Sequence, residues 1–364
     1  MKFKARRFYI LAASAIIILI LFTAAIEKYM PSSSKTSALL NKLKSAAAAL
    51  SGESSVHLEC KSTAEFPCVV KYLHYLRYLP VSVSSSGKYG YDFSFPVPKD
   101  LQKAADSYKW NPQNPFILGA ITQYIEASGM LHDGEYAKPQ INGKLLSELK
   151  KSAEKGEFDP YPWKWILVRQ AAKGEIVELY ENGRKVFSSP ANTGEFATTP
   201  DGTWYVFLRF SSTAMSGLSP SLISMKVYES LKLKHPRMVG CLDGHPVKWV
   251  AYNDSGIKYA DYFNGGIALH YIARSRYGFP QSAGCVELPY DNARFLHKNI
   301  GYGTIVTVLG TAGRAATKQK SGAAASASGA CTQAKVQAKP AESPSSYSAH
   351  KDKTVTVNDK NSSS

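Results

Sequence analysis

From Trp163 onward the chain changes texture, and that change limits its fold more than any other feature. "WKWILVRQAAKGEIVELYENGRKVFSSPANTG" alternates apolar and polar residues on both sides of an Asn182-Gly183 pair. Alternation interrupted by Asn-Gly predicts a β-hairpin. Further short runs follow in "GTWYVFLRF", "VKWVAYND" and "GGIALHYI", then a helical spacing in "DNARFLHKNI" and a closing strand in "GTIVTVLG". Many short strands separated by Gly, Pro and Asn turns predict a mainly β domain, a sandwich or open barrel, over residues 160–310.

Ahead of that domain the pattern is helical. "PFILGAITQYIEASG" places Ile117, Ile121, Tyr124 and Ile125 on one helix face, with Gly129 suited to the helix end. "INGKLLSELKKS" repeats the spacing with Ile141, Leu145, Leu146 and Leu149. Residues 56–155 are therefore expected to form a small, partly helical region. The plainest role for it is packing.

The N-terminus bears on location. Lys2, Lys4, Arg6 and Arg7 precede an uncharged run from Phe8 to Ile26, just long enough to span a bilayer as a helix. The expected organisation is a cytoplasmic flank (1–7), a single-pass inner-membrane anchor (8–26) and a polar linker (27–55), with the rest outside the membrane. A signal cleaved to release a secreted protein is the alternative. Residues 311–364 are rich in Ala, Ser and Lys and are expected to be disordered. The formal charge of +16 favours a polyanionic partner: nucleic acid, anionic lipid or an acidic wall polymer. No zinc-ligand spacing, helix-turn-helix or RNA-recognition pattern accompanies it, so nucleic acid is not expected.

Five cysteines in an exported chain leave at least one without an intramolecular partner. Cys60 and Cys68 bracket "KSTAEFP" and are placed to close a small disulfide loop. Cys241 and Cys331 have no evident mate; His245 follows Cys241, but without further ligands no metal site is expected. Cys285 remains as the candidate free thiol. It leaves a glycine turn, "GFPQSAGCVEL", fifteen residues after His270. A thiol attacks only as thiolate, so a catalytic cysteine needs a base or a positive neighbour. Strand alternation puts Ala268 and His270 on one face, Ile267 and Leu269 on the other. Gly284 lets a carbonyl approach the backbone, the amides near Gly284 and Cys285 can hold an oxyanion, and Ser282 can orient histidine or substrate. The alternative for Cys285 is a buried structural thiol, and for His270 a hydrogen-bonded core histidine.

The whole stretch resembles the L,D-transpeptidase catalytic domain, also called YkuD. That family carries a histidine, a spacer, then Ser-His-Gly-Cys, an aliphatic residue and Arg or Asn; here His270, Ser282, Gly284, Cys285 and Val286 match. Gly194, Thr199, Pro200 and Gly202 match its "G…TP.G" pattern, and "VAYNDSGIKYADYFNGGIALH" is similar to the strand leading to its histidine. Ala283 replaces the second histidine, Glu287 the Arg or Asn, and Tyr271 stands where many members have glycine. The two helices around "GMLHDGEYAKPQ" are in turn similar to small peptidoglycan-binding modules.

The resemblance implies that Cys285 attacks the carbonyl joining diaminopimelate to the terminal D-alanine of a peptidoglycan stem tetrapeptide. A thioester forms, and an amine resolves it into a wall crosslink. His270 would serve as base and then acid, with no cofactor and no metal. Tyr271 and Glu287 are expected to meet substrate, Glu287 as an exposed carboxylate that repels an anionic stem. An L,D-carboxypeptidase and a catalytically decayed peptidoglycan-binding scaffold are the alternatives. The sequence names no protein partner.

Overall fold

The computed structural model describes residues 60, 62, 64–83, 89–171, 174–310 and 331. The basic flank, the apolar run 8–26, the linker 27–55 and all of the 311–364 tail except Cys331 lie outside the described residues. Among the described residues no helix is long and apolar enough to cross a membrane.

A two-stranded ribbon, β1 (Val81–Val83) with β2 (Tyr89–Phe93), precedes the β domain. Two five-stranded sheets make that domain. The first has the order β5-β4-β3-β12-β6, from strands β3 (Lys164–Arg169), β4 (Ile176–Glu181), β5 (Arg184–Pro190), β6 (Gly202–Tyr205) and β12 (Ile305–Leu309). The second runs β11-β10-β9-β7, from β7 (Leu208–Leu222), β9 (His245–Asn264), β10 (Ile267–Tyr271) and β11 (Val286–Leu288), with β8 (Val239–Leu242) added on β9. The sheets enclose Ile166, Val168, Val177, Leu179, Phe263, Leu269, Val286 and Val306, all buried. The Asn182-Gly183 pair turns β4 into β5 with positive φ at both residues, 45° and 76°. That geometry matches strand twist and favours these two residue types.

"WILV" in β3 is apolar without alternation because both of its faces are covered. Ile166 and Val168 enter the inter-sheet core, while Trp165 and Leu167 point outward into a second core. The helices before the domain supply that core: α1 (Glu65–Tyr75), α2 (Lys99–Asp106), α3 (Pro115–Ala127) and α4 (Gly143–Lys155). Asn114 caps α3, its side chain accepting from the amides of Phe116 (2.9 Å) and Ile117 (3.4 Å), with Pro115 opening the helix. Phe116 then lies edge-on to Trp165, ring centroids 5.2 Å apart. Gly119 of α3 meets the Gly303 carbonyl so closely that an added Cβ would stand 2.7 Å from it.

A long antiparallel arm, β7 with β9, projects beyond the sandwich and carries α5 (Met225–Lys234) and β8. Tyr228, Val239 and Cys331 form its own small core. Cys331 is bonded there to Cys241, so two cysteines without an evident mate are partners across 90 residues. Spacing carries no such information, because the pairing depends on where the arm folds. Cys60 and Cys68 are also joined, as their spacing suggested.

Between α3, α4 and residues 298–304 lies a cleft of about 1060 Å³. Asp159 is buried behind that lining, accepting from Gln123 Nε2 (2.8 Å) and the Tyr161 amide (3.0 Å). Burial pushes this carboxyl up to about 7 from an ordinary 3.8, only partly offset by the Tyr161 amide. Its stabilising effect is thus complete below about pH 4 and is lost as pH climbs toward 7. Asp159→Asn should remove that dependence. Relative to wild type the variant should gain a few kcal/mol between pH 4 and pH 8, because each tenfold change in proton affinity is worth about 1.4 kcal/mol. Urea unfolding at the two pH values measures the gain. A constant difference across that range would contradict the assignment.

Candidate active site

Strands β10 and β11 run parallel, with Leu269 opposite Val286 and His270 opposite Glu287. This register puts Ala268, His270, Cys285 and Glu287 on the sheet face away from the inter-sheet core. Since Leu269 pairs with Val286, Cys285 stands just before β11 and diagonal to His270 on that face. Tyr271 alternates to the opposite face. It packs edge-on against Tyr290 at 5.0 Å, on the rim of the inter-sheet core. Expected beside the substrate, it is turned away from Cys285 by the two-residue period of the strand.

The turn delivering Cys285 is fixed by hydroxyls. Ser282 Oγ accepts from the Gly284 amide (3.0 Å) and donates to the Cys285 carbonyl (2.6 Å). Thr199 Oγ1 accepts from the Gly194 amide and donates to the Gly284 carbonyl, both at 2.7 Å. Gly284 has φ +147°, and a Cβ on Gly194 would lie 2.8 Å from Gly284 Cα, so both positions exclude larger residues. The expected oxyanion role of Gly284 therefore changes: its amide is committed to Ser282. Ser282 in turn closes the loop and makes no bond to His270.

Cys285 is the free cysteine among the described residues, half-buried near Ala268 and Tyr252. Its Sγ donates weakly to the Gly266 carbonyl at 3.7 Å. Burial pushes the thiol up to about 12; the Ala268 backbone offsets part of this and the Glu287 charge adds to it. His270 is 3% exposed, and burial holds its imidazole below the ordinary value. Its Nδ1 has no hydrogen-bond partner among the described residues. Both groups thus rest neutral, a thiol and an imidazole on one face of the sheet. Of the base or positive neighbour expected for the thiol, the surroundings favour a base, because burial disfavours the charged form of both groups.

Glu287 is not the exposed carboxylate expected. It is 2% exposed, and Arg274 grips it with two bonds, Nε to Oε2 at 2.9 Å and Nη2 to Oε1 at 2.6 Å. Asn192 Nδ2 adds a third at 3.2 Å, and the Asn192 and Glu287 backbones exchange amide bonds. A carboxylate bonded on both oxygens by a guanidinium offers little net charge to a ligand. Arg274 and Asn192 were not legible as site residues. Arg274 lies in an irregular loop and Asn192 beyond a strand end, and only tertiary structure returns them to Glu287. The one available signal was that a carboxylate at a position usually cationic or amide calls for a cation from elsewhere.

The β7–β9 arm approaches the same face. Tyr252 lies near enough to Cys285 for the thiolate charge to add to the burial that raises its phenol to about 12. His245 packs on Phe196, which belongs to the loop holding Gly194, at 5.8 Å.

Residues 164–308 match the family model for the L,D-transpeptidase catalytic domain, YkuD. Solved structures similar to the chain include an L,D-transpeptidase from Mycobacterium smegmatis. It is 17% identical, with 40% of this chain and 59% of that one covered and a TM-score of 0.27. L,D-transpeptidase 1 from Mycobacterium tuberculosis is 18% identical, with 41% and 62% covered and a TM-score of 0.26. The catalytic domain of the E. faecium L,D-transpeptidase is 17% identical, with 40% and 96% covered and a TM-score of 0.28. The chain thus spans about three fifths of the two mycobacterial chains. No curated protein sequence matches it.

Proposed function

We propose that this protein, whose residues 164–308 carry the L,D-transpeptidase family match, is a cysteine L,D-transpeptidase acting on peptidoglycan stem peptides. The observation that carries the proposal is the placement, on one sheet face, of a reduced Cys285 on a glycine turn and a buried His270 whose Nδ1 lacks a partner among the described residues. Because both groups rest neutral, His270 takes the thiol proton as Sγ attacks the diaminopimelate carbonyl. The Cys285 amide, next in line to the committed Gly284 amide, is the proposed donor to the oxyanion. Collapse of the tetrahedral adduct breaks the C–N bond, and D-alanine leaves with the proton from His270. An acceptor amine then attacks the thioester, passes its proton to the same imidazole and restores the thiol.

An anchor at residues 8–26 would hold this domain outside the inner membrane, where its substrate lies. The basic charge suits an anionic wall.

The test is covalent. Incubated with a carbapenem, the protein should gain one adduct by intact mass and Cys285→Ala none. His270→Ala should acylate on the order of 100-fold more slowly, the scale of a lost general base. Muropeptides from cells carrying Cys285→Ala should lack the crosslinks formed with wild type. An adduct on Cys285→Ala, or full-speed acylation of His270→Ala, would overturn the corresponding role.

A further inference from the structure

Arg274 has more to offer than Glu287 uses. The carboxylate takes Nε and Nη2, which fixes the guanidinium plane, while the side chain remains 32% exposed. Nη1 makes no hydrogen bond among the described residues. A guanidinium carries five donors, so a buried carboxylate gripping one edge leaves the other preset for a second planar anion. The position is also close to the chemistry. Glu287 follows Cys285 by two residues on the same face of the sheet, about 6.6 Å along an extended strand. A second cation stands in the same loop: Arg276 is exposed, stacked on Phe279 at 5.1 Å, and its carbonyl accepts from Asn192 Nδ2 at 3.3 Å. Asn192 therefore ties this loop to Glu287.

From this geometry we infer that Arg274 is a substrate-binding residue whose outer edge receives the carboxylate of the leaving D-amino acid, with Glu287 as its positioning residue. The inference deepens the proposed function and rests on it. It reverses the electrostatics expected of Glu287: the buried carboxylate does not repel an anionic donor, because it orients the cation that receives one. The cation that related motifs carry after the cysteine is here brought in by the preceding loop.

The test compares two donor tetrapeptides, one ending in a free carboxylate and one in a carboxamide, by exchange of the terminal residue for a labelled D-amino acid. Wild type should prefer the carboxylate by about 10- to 100-fold in kcat/KM, the scale of a charge-assisted hydrogen-bond pair. Arg274→Gln combined with Glu287→Gln leaves no buried charge unpaired, and its preference should fall toward one. Arg274→Lys should retain part of it. An unchanged preference in the double variant, its folding verified by thermal melting, would overturn the inference; so would a loss common to both donors, which marks a purely structural role. Alkylation of Cys285 by iodoacetate against iodoacetamide supplies an independent readout. The double variant should lose relative rate toward the anionic reagent, and an unchanged ratio counts against Arg274. If wild type exchanges neither peptide, the transpeptidase reading fails on its own, and the alkylation ratio still decides whether Arg274 presents its charge at the thiol.

Discussion

Glu287→Arg should unfold the protein more readily, not repair its departure from the family motif. The residue is buried and bonded on both oxygens by Arg274. An arginine there would place two guanidinium groups together and strip Asn192 Nδ2 of one of its two acceptors. Breaking a buried ion pair costs about 3–5 kcal/mol, and the added repulsion acts in the same direction. Urea unfolding should show a drop of that size. The exchanged pair, Arg274→Glu with Glu287→Arg, should recover a large part of it, since the attraction is restored with its ends reversed. A Glu287→Arg protein as stable as wild type would show that the pair contributes nothing to the fold.

Trp165→Ala should have a comparable effect through a different mechanism. Trp165 is buried at the boundary between the helices and the first sheet, its Nε1 donating to Thr307 Oγ1 at 2.8 Å. Its ring meets Phe116 from α3 at 5.2 Å and Trp163 at 5.4 Å. Truncating a buried tryptophan costs about 3–5 kcal/mol, and here it also leaves the Thr307 hydroxyl without its indole donor. Helices and sheet share that core, so both should be lost in one transition, followed by far-ultraviolet circular dichroism and tryptophan fluorescence together. Residues 160–310 expressed alone should expose Trp163, Trp165, Leu167 and Ile305 and aggregate. Two separate transitions in the full chain would contradict a shared core.

The parts legible in the sequence are those where chemistry is local. Asn182-Gly183 announced its hairpin because few other residue pairs accept positive φ at both positions. The helices at Pro115–Ala127 and Gly143–Lys155 showed a buried stripe at helical spacing. By contrast, α5 buries only Tyr228, so its periodicity carried little signal. The length of β7 and β9 was hidden because polar residues along the arm alternate with few apolar ones, away from the sandwich core. At the candidate site, His270 lies on β10 and Cys285 directly before β11, a placement suggested by alternation and the glycine turn. The neutral state of that pair could not be read, since it depends on what buries them. Thr199 was legible as a motif position but not as the hydroxyl joining Gly194 to Gly284.

The Cys241–Cys331 bond sets a condition on how the chain matures. From residue 241 to residue 331 there are three cysteines, and three ways to join two of them. Only one leaves Cys285 reduced. Either of the others would convert the proposed nucleophile into an inert half of a disulfide. Any oxidant that makes the staple also threatens the thiol. The folded state favours the first outcome, because a thiol held protonated by burial exchanges slowly. The apolar surroundings that keep the resting thiol neutral therefore also protect it during oxidative folding.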